Sequence, residues 1–305
     1  MALLTRKIRR QINSIKNTQK ITKAMELVST AKMRKAVNAV LACRPYANLA
    51  WQMVTSLSAV TNRELHPLLQ LRQPVEKIGL VLISANRGLC GAFNQQIVRE
   101  AFQFVASQRA DANGSCMEFI TIGRKGARTI AKVGQVIRAD FPKPDIVTDI
   151  GQIASIAKVI IQSYLEAQFE KVVLIYTRFV NSLTQRPEVR QLLPLTGEAD
   201  FGLGQISDRT KGFRHQEGIK EYLFEPSADY VLAHFLPRLV EFQIYQAILE
   251  SNASEHSARM VAMKNASEAA SELIHDLTLS FNKARQAKIT QEINEISVAK
   301  AALEG

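Results

Sequence analysis

FLPRLVEFQIYQAILESNASEHSARMVAMKNASEAASELIHDLTLSFNKA (Phe235–Ala284) is the stretch whose reading decides the fold. Steps of four and three through it pick out Phe235, Leu239, Phe242, Gln246, Leu249, Ala253, His256, Met260, Met263, Ser267, Ala270, Ile274, Leu277, Phe281 and Ala284. That is a sustained heptad-like seam, the pattern a coiled coil buries. The small seam residues Ala253, Ser267 and Ala270 predict close approach of a partner helix. From Ser227 to Glu304 there is no glycine, and the one proline, Pro237, lies near the start. At 1.5 Å per residue, a helix from Pro237 to Leu303 would be roughly 100 Å long. No small globular core has use for such a helix, so it must run along another long one.

The only candidate in the chain is at the other end. Met1 to Arg44 contains neither glycine nor proline, and Ile8, Ile12 and Ile15, then Ile21, Met25 and Val28, recur at helical spacing. The step between the two sets is irregular, so the pattern does not require a uniform coil. Pro45 is expected to kink the helix before the pattern resumes to about Leu57.

Between the two ends the period changes. Ile78–Ser84, Glu118–Ile122 and Val172–Thr177 read as strands, and Ala92–Ala106, Arg124–Val133 and Gln152–Ala167 as helices. Apolar strands separated by helices predict a small α/β domain around a mostly parallel sheet. The Gly-rich polar stretch Gly197–Gly218 reads as a flexible exposed loop. The predicted organisation is a coiled-coil helix over 1–60, a globular α/β domain over 75–222 and a second coiled-coil helix over 227–305. The fold class is α/β, with both chain ends joined in a long antiparallel coil.

Composition narrows the partners. The 305 residues carry a formal net charge of +11. Eleven basic residues up to Arg44, opposed by Glu26 alone, supply nearly all of it. An acidic partner follows: nucleic acid, an anionic membrane surface or an acidic protein. Base stacking would want interleaved aromatics, and none precedes Tyr46. The Arg-rich start resembles a transit peptide, but the pattern continues well past the usual length of one. There is no apolar run long enough to span a bilayer. Cys43, Cys90 and Cys116 form no CxxC pair, which argues against a disulfide framework and a zinc site and makes a reducing compartment the default.

Ser84–Gly91 follows a strand and opens a helix, as a phosphate loop would. It lacks the Lys-Ser/Thr of a P-loop and the spacing of a dinucleotide turn, so a tight structural turn is the better account. Cys90 in that turn reads as a packing residue, with no histidine nearby in sequence to activate it. The five histidines are scattered, no carboxylate cluster stands out, and no catalytic constellation emerges. These residues leave two function classes to weigh. One is a basic coiled-coil nucleic-acid-binding protein, which a salt-sensitive gel shift would reveal. The other is an α/β enzyme acting through the Arg87–Gly91 turn, which would need a small ligand there.

Three longer words carry a resemblance. INSIKNTQKITKAM (Ile12–Met25), EHSARMVAMKNA (Glu255–Ala266) and NKARQAKITQEI (Asn282–Ile293) resemble the terminal helices of the gamma subunits of F-type ATP synthases. RGLCG (Arg87–Gly91), LLPL (Leu192–Leu195) and YLFEP (Tyr222–Pro226) are similar to that family's words in the middle of the chain. Two departures stand out: Asn86 where relatives usually carry Asp, and Ala299-Lys300 where they usually close with Gly-Ala. Gly197–Gly218 has no cysteine, so the disulfide regulation of chloroplast relatives is not expected.

The resemblance implies a Rossmann-like α/β insert on a coiled-coil shaft, with no catalytic site of its own and no cofactor bound by this chain. It implies alpha, beta, epsilon and c-ring subunits as partners, with Mg-ATP or Mg-ADP held by the alpha and beta subunits. Lys16, Lys20, Lys23, Met25, Lys32, Arg285, Gln286 and Thr290 would face the beta subunits. Tyr222 and Glu225 would face the c-ring and epsilon. The expected location is peripheral, on the cytoplasmic face of a bacterial energy-transducing membrane or the equivalent organelle face.

Overall fold

A computed structural model describes the backbone of residues 2–60, 66–110, 115–147, 149–195 and 227–304. The predicted loop 197–218 and the positions Tyr222 and Glu225 lie outside the described residues. The elements in chain order are α1 (Ala2–Val60), β1 (Lys77–Ile83), α2 (Phe93–Ala110), β2 (Cys116–Ile122), α3 (Arg124–Lys132), β3 (Ile137–Phe141), α4 (Ala154–Leu165), β4 (Lys171–Phe179), β5 (Gln185–Leu193) and α5 (Ala228–Glu304). α1 is helical straight through Pro45, and α5 through Pro237.

The chain forms two compact units, residues 30–259 and residues 1–29 with 260–305. The larger unit is built on one five-stranded sheet of order β3-β2-β1-β4-β5. β1, β2, β3 and β4 are parallel neighbours and β5 is antiparallel to β4. The period of two sorts the strand residues onto two faces. Val81, Ile83, Ile120, Ile122, Val172 and Leu174 pack with Ile156 and Ile160 of α4, Val40 of α1, and Leu236, Val240 and Ile244 of α5. Leu80, Leu82, Phe119, Val173 and Ile175 pack on the other side with Ile97 and Ala101 of α2 and Ile130 of α3. Helices cover both faces, as the continuous apolar strands require.

The three strands read from sequence are present, and two more join them. β3 is short and alternates half-buried with exposed positions, so it carries no apolar run. β5 (QRPEVRQLL) contains Pro187 and five charged or amide side chains, and reads as loop. Both are sheet edges, where a ladder tolerates proline and polar residues. A tight turn feeds β5: the Asn181 side chain accepts from the backbone N–H groups of Leu183 and Thr184, at 2.9 and 2.7 Å.

In the smaller unit, the seam of α5 matches the predicted register. Met263 and Ala270 are buried, and Ser267, Ile274, Leu277, Phe281 and Ala284 are half-buried between exposed neighbours. On α1 the expectation needs correction. An unbroken alternation of three and four runs through buried and half-buried Thr5, Ile8, Ile12, Ile15, Gln19, Thr22, Glu26 and Ser29, with Met25 and Thr30 half-buried beside it. Ile21 and Val28, predicted in the stripe, are instead 61% and 55% exposed. The coil is uniform; it changes from isoleucine to polar seam residues after Ile15. Gln19 donates through Nε2 to Ser271 Oγ at 2.6 Å, satisfying one of those polar groups across the two helices.

Candidate functional site

Parallel α/β sheets place ligand sites outside the carboxyl ends of their strands, where the winding direction reverses. Here β1 connects toward β2 on one side and borders β4 on the other, so the reversal lies between β1 and β4. α5 runs across that crevice. Ser254 Oγ donates to Thr177 O near the end of β4, and Ser257 Oγ donates to Ser182 O in the turn beyond it. Arg259 Nε donates to Gly88 O in the loop after β1, at 3.4 Å. Asn252 donates to Pro144 O in the segment after β3. Ala258 packs on Ala85, Cys90 and Phe93. The place where such folds receive a nucleotide is filled by the chain's own helix.

The turn predicted to be structural is so in detail. Ser84 Oγ donates to Gly123 O and accepts from Gly126 N–H, tying the end of β1 to the start of α3. Gly123 has φ 114°, and a Cβ there would lie 2.2 Å from Ser84 O, so only glycine fits. Asn86 uses both ends of its amide. Nδ2 donates to Lys143 O, while Oδ1 accepts from the backbone N–H groups of Lys143 and Arg124. An aspartate would keep the two acceptor bonds and lose the donor, which gives Asn86 a local reason to be there. Cys90 is buried and accepts from Asn94 Nδ2, and burial pushes its thiol up, away from nucleophilic chemistry.

Beside this turn lies a charged cluster that sequence reading missed. The Glu255 carboxylate is 2% exposed and pairs with Lys143, itself 3% exposed, and with Arg259 at 2.6 Å. Lys143 also reaches Ser251 Oγ. Burial alone would raise the Glu255 carboxyl, but Lys143 and Arg259 outweigh it and hold the group below its ordinary value. His256 Nδ1 faces Arg259 Nη1 at 3.2 Å, and since arginine only donates, Nδ1 must accept. The ring proton is then on Nε2, which donates to Asp145 O at 3.2 Å. Burial pushes the imidazole below its ordinary value. The one sequence signal is the polar composition of residues 250–257, broken by Ala253 alone, and it does not name the partners that other elements supply.

The residues assigned by resemblance to the beta subunits lie on outer helix faces. Lys16, Lys20, Lys23, Arg285, Gln286 and Thr290 are exposed and Met25 is half-buried. Lys23 is held by Glu26 at 3.0 Å, and Thr290 Oγ1 donates to its own helix at Gln286 O. Lys32 differs: its ammonium pairs with Asp145 at 2.6 Å. Burial would raise Asp145, but Lys32 and the nearby His256 and Arg259 bring it below its ordinary value. Among the described residues, no group of three or more His, Cys, Asp or Glu is arranged to hold a metal ion, and no helix is long and apolar enough to cross a membrane.

Comparison with known proteins gives a consistent result. A family model described as ATP synthase matches residues 4–303. The ATP synthase gamma chain of Herpetosiphon aurantiacus is 42% identical over 305 residues, covering 98% of each chain. That of Pelotomaculum thermopropionicum is 43% identical over 299 residues, covering 98% of this chain and 99% of its own. Among solved structures, a chain of the central stalk and c-ring of Tetrahymena thermophila mitochondrial ATP synthase is similar with a TM-score of 0.58 at 24% identity, over 81% of this chain and 99% of its own. A chain of the rotor of Euglena gracilis mitochondrial ATP synthase gives a TM-score of 0.61 at 20% identity, over 95% of this chain and 100% of its own. At these identities the structural likeness is one of fold. With the family model spanning nearly the whole chain and curated relatives above two-fifths identity, this chain belongs to the ATP synthase gamma chain family.

Proposed function

We propose that the chain is the central rotor shaft of an F-type synthase, coupling ion-driven rotation of the membrane c-ring to ATP synthesis and hydrolysis at the beta subunits. The observation that carries this reading is the family match along the two terminal helices, whose paired seam leaves cations and apolar side chains outward. Lys16, Lys20 and Lys23 share α1 with the exposed Ile21, Leu27 and Val28, and Arg285 and Gln286 share α5 with the exposed Ile289 and Ile293. Such a surface offers carboxylates and apolar sleeves different contacts at each rotational angle. A beta subunit that binds one face better than another is shifted toward one conformation, and its nucleotide affinity follows.

The chemistry belongs to the partners. Mg-ATP and Mg-ADP bind at the alpha and beta subunits, and this chain contributes contacts. Arg285 supplies a planar fork for a beta carboxylate. Lys32 has to leave Asp145 to do the same. Tyr222 and Glu225 are assigned to the foot, against the c-ring and epsilon. The working position is peripheral, on the cytoplasmic face of a bacterial energy-transducing membrane or its organelle equivalent.

The test is reconstitution with the alpha and beta subunits of a related synthase, read by ATP hydrolysis. Turnover is expected to be restored by the wild-type chain and to fall at least fivefold in a Lys23→Ala/Lys32→Ala/Arg285→Ala variant. Asp145→Asn, which frees Lys32 without removing it, separates the two uses of that lysine. Turnover that survives the triple change would keep the shaft and discard these contacts. Failure to assemble, where a related gamma chain succeeds in parallel, would remove the shaft reading and return the basic helix to nucleic acid.

A further inference from the structure

We propose that Lys143, Glu255 and Arg259 are positioning residues that lock α5 into the β1/β4 crevice, so that the helix cannot turn or slide against the sheet when torque passes through it. The proposal rests on the rotor reading above, and adds to it the place within the α/β unit where twisting force is taken up.

Helices usually bind a sheet through apolar contact, which resists separation and gives little resistance to rotation about the helix axis. Residues 251–259 are bound differently. Ser254 and Ser257 donate toward the end of β4 and the turn after it. Asn252 and His256 reach Pro144 O and Asp145 O beyond β3, and Arg259 reaches Gly88 O beyond β1. These bonds leave the helix in different directions to three separate strand ends, so rotation either way stretches some of them.

Glu255 lies at the centre of the set. Its carboxylate joins Lys143, carried by the segment after β3, to Arg259 on its own helix, and Lys143 adds a bond to Ser251. All three charged groups are buried. Turning α5 would therefore carry Glu255, together with Arg259, away from Lys143 and leave that ammonium unpaired in a buried interface, where an unpaired charge is most costly. The neighbouring loop is itself fixed, because Asn86 holds the backbone of Lys143 at both N–H and C=O. The lock has a rigid seat on the sheet side.

The experiment uses the complete membrane-reconstituted synthase containing this chain, with Glu255→Gln, which keeps shape and removes charge, and the milder Ser257→Ala. Two quantities are read: ATP hydrolysis with ATP-driven ion uptake, and hydrogen exchange of the amides of residues 251–259. For Glu255→Gln, exchange is expected to accelerate at least tenfold and ions taken up per ATP to fall by at least half, with hydrolysis within twofold of wild type. Ser257→Ala should shift both in the same direction and less.

Faster exchange with an unchanged uptake ratio would overturn the positioning role and leave a structural ion pair. Unchanged exchange would overturn the lock itself. Should Glu255→Gln not assemble, Ser257→Ala decides by the same two readouts. If the wild-type chain supports no ATP-driven uptake while a related gamma chain does, it is the rotor reading that fails.

Discussion

Two stretches of one helix, residues 241–259 and 260–288 of α5, share a heptad-like pattern and end in different surroundings. The second behaves as the pattern says: one stripe is buried and the rest faces solvent. The first is buried or half-buried at every position, polar ones included. A seam identifies which residues meet another helix, but says nothing of what covers the other faces. Where the α/β unit encloses the helix, buried polar side chains had to find partners, and Ser254, Glu255, Ser257 and Arg259 found them on strand ends and loops.

The sharpest break of this comparison is one substitution made twice. Leu249 is 1% exposed inside the larger unit, and Leu277 is a half-buried seam residue of the smaller one. Leu249→Ala removes a side chain the core cannot close around and should cost about 2–5 kcal/mol. Leu277→Ala opens onto solvent and should cost about 1 kcal/mol. Since two units need not melt together, segment-resolved hydrogen exchange is the suitable measurement. Equal losses would mean that enclosure does not distinguish the two halves.

The same contrast explains what could be read in advance. Elements with a strong period were legible: the α5 seam, the three central strands, and the helices near Ala92, Arg124 and Gln152 all lie close to where their patterns put them. β5 was not, because an edge strand needs no apolar run and QRPEVRQLL has none. The α1 seam was half legible. Following isoleucines led to Ile21 and Val28, while the coil continued through Gln19, Thr22 and Ser29. The Glu255 cluster was invisible for a deeper reason. Lys143 and Glu255 are far apart in sequence, and only the folded sheet brings the segment after β3 against α5.

A smaller effect should appear with pH. Burial holds the His256 imidazole below its ordinary value in the folded chain. The unfolded chain therefore takes up the proton first as pH falls, so stability is full above about 6.5 and declines below it. Glu255, held down by Lys143 and Arg259, adds its own loss further toward acid. Both act in the same direction, with His256 first; Asp145, Lys143 and Arg259 are the other charged groups acting with it, and Lys32 pairs with Asp145. His256→Gln can still accept from Arg259 and donate to Asp145 O without titrating. Its thermal midpoint should fall less than that of wild type between pH 7.5 and 5.5. Parallel slopes would take His256 out of the acid response.

The smallest expected change concerns the seam of α1. Ile21 is exposed while its neighbour Thr22 is buried, with Oγ1 donating to Gln19 O in its own helix. For the two-helix unit alone this order is the wrong way round. Exchanging the pair, Ile21→Thr with Thr22→Ile, should stabilise residues 1–29 by about 1 kcal/mol through the added apolar burial. Both residues are β-branched, so helix propensity scarcely changes. Ile21 shares its helix face with Val28, seven residues on and also exposed, so the outward placement has a pattern. If that face meets a partner subunit, the exchanged chain will be more stable alone and less active when reconstituted with alpha and beta subunits. Greater stability with full activity would make Ile21 a passive surface residue. Lower stability would mean that the polar layer of Gln19, Thr22 and Ser271 holds the register of the coil, and that its hydrogen bond outweighs the apolar area an isoleucine would add.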